Sequence, residues 1–297
     1  MISWLPYEFF ISLRYLKAKR RKKGISLTTI ISISGVTVGV AALIATLAVM
    51  TGFKEELRDK ILGANSHIVI DDRTREGMEN VESLIGSVVK VPRVVAATPF
   101  IFKQVLLSSD NGVFGVILRG VDPNREALVT KIGQNMVQGK LDYLSYPERF
   151  HNEASMRQDQ HSSPNSIPAT PFPGIIIGVE LVSRLESSLG DLIHIISPVG
   201  LEHLGGVRAM GMTPKIRKFK VVGIFDSGMY EYDSALAYIT IPEAQKFFNL
   251  VGKVSGIEVK VTDISAAADI AHEIEGKLGF PFHARDWLKM NKSLFSA

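Results

Sequence analysis

The chain of 297 residues contains no cysteine. Disulfides, thiolate metal sites and cysteine nucleophiles are excluded with it. Catalytic signatures are missing as well. There is no HExxH zinc motif and no GxSxG nucleophile turn, and the seven histidines are scattered. His151 and His161 fall in a Pro- and Ser-rich stretch, while His272 and His283 have no acidic or histidine partner at ligand spacing. Residues 133–140 resemble a phosphate loop at first sight. Five residues separate Gly133 from Gly139 where a P-loop has four, and Leu141 follows Lys140, so no hydroxyl is available for magnesium. Asp226, Glu231 and Asp233 read as a polar turn between two strands rather than a carboxylate site. No catalytic residue, cofactor or metal is expected. The net charge of +4 comes without a nucleic-acid-binding motif, so no nucleic acid is expected either.

Charge is also missing from one long stretch. No Asp, Glu, Lys or Arg occurs in residues 24–53. At about 1.5 Å per residue, roughly 20 helical residues cross the hydrocarbon core, so this run is long enough to span. A cleaved signal peptide has a shorter apolar region and a small-residue cleavage site. Acid is scarce before the run: Glu8 is followed by Arg14, Lys17, Lys19, Arg20, Arg21, Lys22 and Lys23. After it, Lys54, Arg58 and Lys60 are balanced by Glu55, Glu56 and Asp59. The positive-inside rule puts the N-terminus in the cytoplasm. Trp4, Tyr7, Phe9, Phe10, Leu13 and Leu16 interleave with basic residues, which predicts an amphipathic helix on the inner membrane surface in 1–23. Inside the span, Gly35 and Gly39 form a small-xxx-small pair, which predicts close packing against another helix.

The remainder mixes helical and strand signals without regular alternation, which makes the class α+β. The helix is expected to run out of the bilayer through residues 53–62, with Gly63 as a C-cap. Asn111-Gly112 predicts a hairpin between strands at 102–107 and 113–121. Residues 143–173 hold five prolines among Ser, Asn and Gln and read as a long surface loop. Strands are expected at 67–70, 175–178, 192–197, 216–225, 235–241 and 255–261. Helices are expected at 78–89, 123–132, 179–189, 242–248 and 266–278.

The most distinctive segment is 198–214, between two expected strands. It holds Gly200, Gly205, Gly206 and Gly211, yet it is apolar, with Pro198, Val199, Leu201, Leu204, Val207, Met210, Met212 and Pro214. Two readings stand: a contact surface, for which methionines are suited, or a loop folded back on its own core.

A set of motifs carries a resemblance. These are Gly178-Val179-Glu180-Leu181, Leu189-Gly190-Asp191, Ser197-Pro198, the run from Pro214 through Phe225, and Ser227-Gly228-Met229-Tyr230-Glu231-Tyr232-Asp233. Together with residues 9–14, the basic cluster and residues 36–53, they resemble the lipoprotein-releasing (Lol) ABC-transporter permeases over nearly the whole chain except about 145–172. The resemblance implies four transmembrane helices, with a periplasmic domain of the MacB-like periplasmic core type between the first and second. Here that domain is expected at 54–285, followed by a linker at 286–297. It implies residence in the bacterial inner membrane. The implied partners are an ABC ATPase subunit, a second permease subunit in a homo- or heterodimer, lipoprotein substrate, membrane lipid and a periplasmic lipoprotein carrier. In carrier-recruiting permeases a hairpin hooks the carrier, and 198–214 stands at that position. His194, Ile216 and Arg217 stand beside its base, where the family has a carrier-contacting pad. The chain stops at Ala297, so a fragment or truncated product lacking three helices is expected, unable to transport alone. Other readings are a mechanotransmitting permease of the macrolide-efflux or cell-division type, and, from another class, a membrane-tethered hydrolase.

Overall fold

The computed structural model describes residues 7–17, 23–64, 66–74, 77–150, 172–197 and 214–292. The chain divides into two compact units, Met1–Leu57 and Arg58–Ala297. In the first, α1 (Tyr7–Lys17) exposes Tyr7, Phe9, Phe10 and Tyr15. Helix α2 (Lys23–Ala64) continues without a break past the first unit. Its stretch Leu27–Glu56 is long and apolar enough to cross a membrane. Thr37 and Thr46 donate to Ile33 O (2.8 Å) and Ala42 O (2.9 Å), so these hydroxyls leave no unpaired donor in an apolar solvent. A Cβ added at Gly35 or Gly39 would meet nothing within 4 Å. Both glycines therefore lie on open helix surface.

The second unit is an α+β body on one ten-stranded sheet. Its frame is a split βαβ unit. Strands β1 (Ile68–Asp72) and β2 (Val94–Ser109) are joined by α3 (Val81–Val88), and β9 (Gly256–Val261) and β10 (Phe282–Asp286) by α8 (Ala267–Leu278). The order β10-β1-β9-β2 is antiparallel at every step, which is the ferredoxin-like arrangement. Ile85 and Val88 of α3 and Ile270 and Ile274 of α8 share a buried core with Ile68, Ile70, Ile257 and Val259.

Everything between β2 and β9 is inserted into this frame. It comprises β3 (Gly112–Val121), α4 (Pro123–Val129), β4 (Met136–Gly139), a 3₁₀ turn (Leu141–Leu144), β5 (Gly174–Gly178), α5 (Val179–Leu185), β6 (Leu192–Ser197), β7 (Lys215–Phe225), α6 (Tyr230–Asp233), β8 (Leu236–Thr240) and α7 (Ile241–Phe248). The strands close a ring: β2 pairs β3, then β8, β5, β7 and β6 follow, and β6 pairs β2 again. Val105, Leu107, Val116, Leu118, Ile175, Ile177, Ile193, Ile195, Phe219 and Val221 are buried together. Alternation along each strand points one face inward, so these side chains fill the ring. Gly178 is a spacing requirement, because a Cβ there would overlap the carbonyl of Asp233.

The Asn-Gly hairpin forms, with Ser109 opposite Gly112. Several expectations shift. The strand predicted at 102–107 runs Val94–Ser109, because its first half pairs β9 and only its second half pairs β3. The helix predicted at 78–89 starts at Val81, since Met78 is taken by a bridge to Val254. That at 179–189 stops at Leu185, where Glu186 adopts a left-handed conformation. The loop predicted at 143–173 begins inside the body: Tyr143, Leu144 and Phe150 are buried against Ile176, Val222 and Tyr238 on the outside of the ring. Residues 151–171 of that expected loop lie outside the described residues. Strands β4 and β10 were not expected from sequence.

Candidate docking face at the β6–β7 hairpin

Strand β6 reads Leu-Ile-His-Ile-Ile-Ser, and β-branched residues alternate to fit a pleated surface buried on one side. It pairs with β7 over six residues, from Leu192–Lys220 to Ser197–Lys215. Segment 198–214 therefore connects two antiparallel neighbours. Pro198, Val199, Leu201, Met210 and Met212 lie outside the described residues, and Pro214 is exposed.

The three base residues split between two faces. His194 sits between Ser108 of β2 and Lys218 of β7, half-buried on the outer wall. Ile216 shares that wall and is 58% exposed. Arg217 has the opposite parity. Its guanidinium pairs with Glu243 of α7 and lies 5.4 Å from the Phe219 ring centroid. Lys215 Nζ donates to Phe247 O at 3.3 Å, so a second cation ties the hairpin base to α7. Of the expected pad, His194 and Ile216 are brought together and Arg217 is turned away. It lines an open groove of about 1400 Å³ with Glu82, Asp122, Thr240, Glu243 and Lys246 among others.

Sequence reasoning missed a buried ionic cluster between the split unit and the ring. Arg119 of β3 donates to Glu258 of β9 at 2.5 Å and stands 3.7 Å from Glu126 of α4. Its guanidinium lies 5.9 Å from the Phe100 and 5.6 Å from the Tyr238 ring centroid. Thr130 Oγ1 donates to Glu126 Oε1 at 3.1 Å. Burial opposes charging Arg119, but the charges of Glu258 and Glu126 outweigh it and push its pKa above the ordinary range. Burial, reinforced by Glu258, pushes the Glu126 carboxyl up to about 7. The sequence signal was one arginine in the otherwise apolar β3 and one glutamate in the largely apolar β9. His67, beside the start of β1, has its pKa lowered mainly by burial, and its Nδ1 accepts from Val261 N–H at 3.2 Å.

Among the described residues no cluster of three or more His, Asp or Glu could hold a metal ion. Asp233, one of the carboxylates weighed above, ends the short helix α6 that stands where a polar turn was expected, and accepts from Ser227 N–H at 2.8 Å.

Residues 29–277 match the family model of the MacB-like periplasmic core domain. The chain is 30% identical over 292 residues to the lipoprotein-releasing system transmembrane protein LolC of Xylella fastidiosa, covering 98% of this chain and 63% of that protein. LolC of Neisseria meningitidis is 32% identical over 293 residues, with the same coverage. LolE of Haemophilus influenzae is 24% identical over 267 residues, 88% of this chain and 56% of that protein. The chain thus spans less than two thirds of these curated relatives. Among solved structures, the periplasmic region of MacB from Actinobacillus actinomycetemcomitans gives a TM-score of 0.45 at 14% identity, over 80% of this chain and 96% of that one. The extracellular domain of the transporter YknZ from Gram-positive bacteria gives 0.43 at 11%, over 75% and 100%. Matched across most of its length, the chain belongs to the family of the MacB-like periplasmic core domain and is similar within it to the lipoprotein-releasing transmembrane proteins.

Proposed function

We propose that this chain is part of a permease subunit of an ABC transporter that releases lipoproteins from the bacterial inner membrane to a periplasmic carrier. The observation that carries the reading is the match to LolC proteins over 98% of the chain. In this reading residues 1–23 lie in the cytoplasm, 24–53 cross the membrane and 54–285 fold in the periplasm. The basic cluster before the span and the balanced charge after it support that direction. ATP hydrolysis belongs to a separate subunit, a second permease subunit joins the complex, and another transmembrane helix packs against Gly35 and Gly39. The carrier docks on 198–214, through Pro198, Val199, Leu201, Met210, Met212 and Pro214, with His194 and Ile216 on the adjoining wall. Arg217 acts at the base through Glu243.

The test is binding of the purified carrier to the full chain in detergent. The double variant Met210→Asp/Met212→Asp is expected to weaken it at least tenfold. Unchanged affinity would remove the docking assignment.

A further inference from the structure

Helix α4 ties the split unit to the ring. On its outer face Arg125 donates twice to Glu82 of α3, at 2.9 and 3.0 Å. Near its C-terminal end Leu128 O accepts from Lys260 Nζ of β9 at 3.1 Å. Both contacts are exposed, and exposed ion pairs hold little. The inner face is different. It carries Glu126, fully buried, toward Arg119 of β3 in the ring and Glu258 of β9 in the split unit. Asp122 and Pro123, where the helix begins, line the open groove of about 1400 Å³.

Charge counting makes the inner contact conditional. Arg119 is one cation between two carboxylates. It donates to Glu258 at 2.5 Å and stands 3.7 Å from Glu126, so Glu258 takes the guanidinium. Glu126 Oε1 accepts from Thr130 Oγ1, while Oε2 is buried and has no hydrogen-bond partner among the described residues. A carboxylate so placed is disfavoured, and a proton on it removes the penalty. The neighbouring elements do not supply the missing charge. Lys260 of β9 is engaged at Leu128 O, and Arg125 of α4 at Glu82 and Asp122. Asp122 adds negative charge, and Tyr238 of β8 is a neutral phenol held by burial. Strand β2 contributes Thr98 beside Glu258 and Phe100 beside Arg119. The 3₁₀ turn packed on α4 has Asp142 exposed and Tyr143 buried.

We propose that α4 is a proton-operated latch, seated across β3 and β9 while Glu126 is protonated and released from them when that proton leaves. Release moves the start of α4 and with it one wall of the groove. This device goes beyond the carrier reading and does not depend on it. The Glu126 carboxyl, pushed up to about 7 in the seated helix and returning toward 4.5 in the released one, puts the transition in the neutral range. By linkage, release becomes about tenfold more favourable between pH 6 and pH 8.

Hydrogen exchange of the full chain in detergent tests the latch, read by mass spectrometry on peptides covering α4 and α8 and corrected for the intrinsic rate at each pH. Wild type is expected to lose about tenfold protection in α4 between pH 6 and pH 8, with α8 within twofold. Glu126→Gln is expected to flatten the profile and to keep α4 protected at pH 8. Glu258→Gln reaches the same result by another route, because Arg119 is then free to pair with Glu126 as a carboxylate. It also serves where Glu126→Gln folds poorly. A wild-type change in α4 below twofold overturns the proposal, as does a tenfold loss that the variants retain. Equal losses in α4 and α8 overturn it too, since the opening is then global.

Discussion

The split βαβ unit and the inserted ring share strand β2 but treat their surfaces differently. In the split unit, α3 and α8 bury Ile85, Val88, Ile270 and Ile274 against the sheet. In the ring, the inner face is filled, and among the described residues the outer wall beside β6 leaves Ile216 and Leu106 exposed. One half therefore resembles a scaffold and the other a presenting surface. The ionic contacts follow the same division. Arg119 is buried between the halves with two carboxylates, whereas Arg217 pairs with Glu243 near the surface. Breaking a fully buried pair strands charge in a low dielectric, and breaking a half-buried one with solvent access strands less.

That contrast can be broken at its strongest point first. Arg119→Ala leaves Glu126 and Glu258 facing each other without a cation, and is expected to cost about 3–5 kcal/mol. Urea unfolding followed by circular dichroism measures it; a loss below about 1 kcal/mol would show the cluster to be dispensable. Next, Gly256→Ala drives a Cβ against the carbonyl of Ile70 and the ring of Phe100. Such overpacking costs about 1–3 kcal/mol, and a thermal shift of several degrees is expected.

Protonation of Glu126 gives a pH test of the same cluster. Its pKa rises from an ordinary 4.5 to about 7 on folding, so the folded state favours the protonated carboxyl. Stability from this group is present at low pH and falls as pH rises from about 4.5 through 7. Glu126→Gln is expected to remove that slope and to leave the variant the more stable of the two at pH 8. Parallel Tm curves for both proteins between pH 5 and 8 would contradict this. The smallest effect belongs to the half-buried pair near the surface: Glu243→Gln keeps a polar side chain beside Arg217 and is expected to cost about 1 kcal/mol, with Tm changed little.

What the residues disclosed in advance follows the range of the interaction. The membrane-length helix was legible because it depends only on an uncharged run, and the Asn111-Gly112 turn because its chemistry is local. Most strands of the ring were legible as short apolar runs bounded by turn residues. Their closure was not, because it depends on Leu106 meeting Ile196, some 90 positions later in the chain. Strand β10 was hidden because Phe-His-Ala-Arg-Asp carries two charges in five residues, and only pairing with Ile68–Asp72 makes it a strand. Of the site, the apolar segment 198–214 stood out by composition. The opposite facing of Ile216 and Arg217 needed the register of β7 and the placement of Glu243.

The most direct test of the presenting surface compares two exposed apolar residues. Ile216 lies on the outer wall, and Val251, 89% exposed, lies in the turn before β9. Carrier binding to the full chain would be measured by titration for Ile216→Asp and Val251→Asp. Ile216→Asp is expected to weaken binding at least tenfold with Val251→Asp within twofold of wild type, and equal effects of the two substitutions would contradict the account.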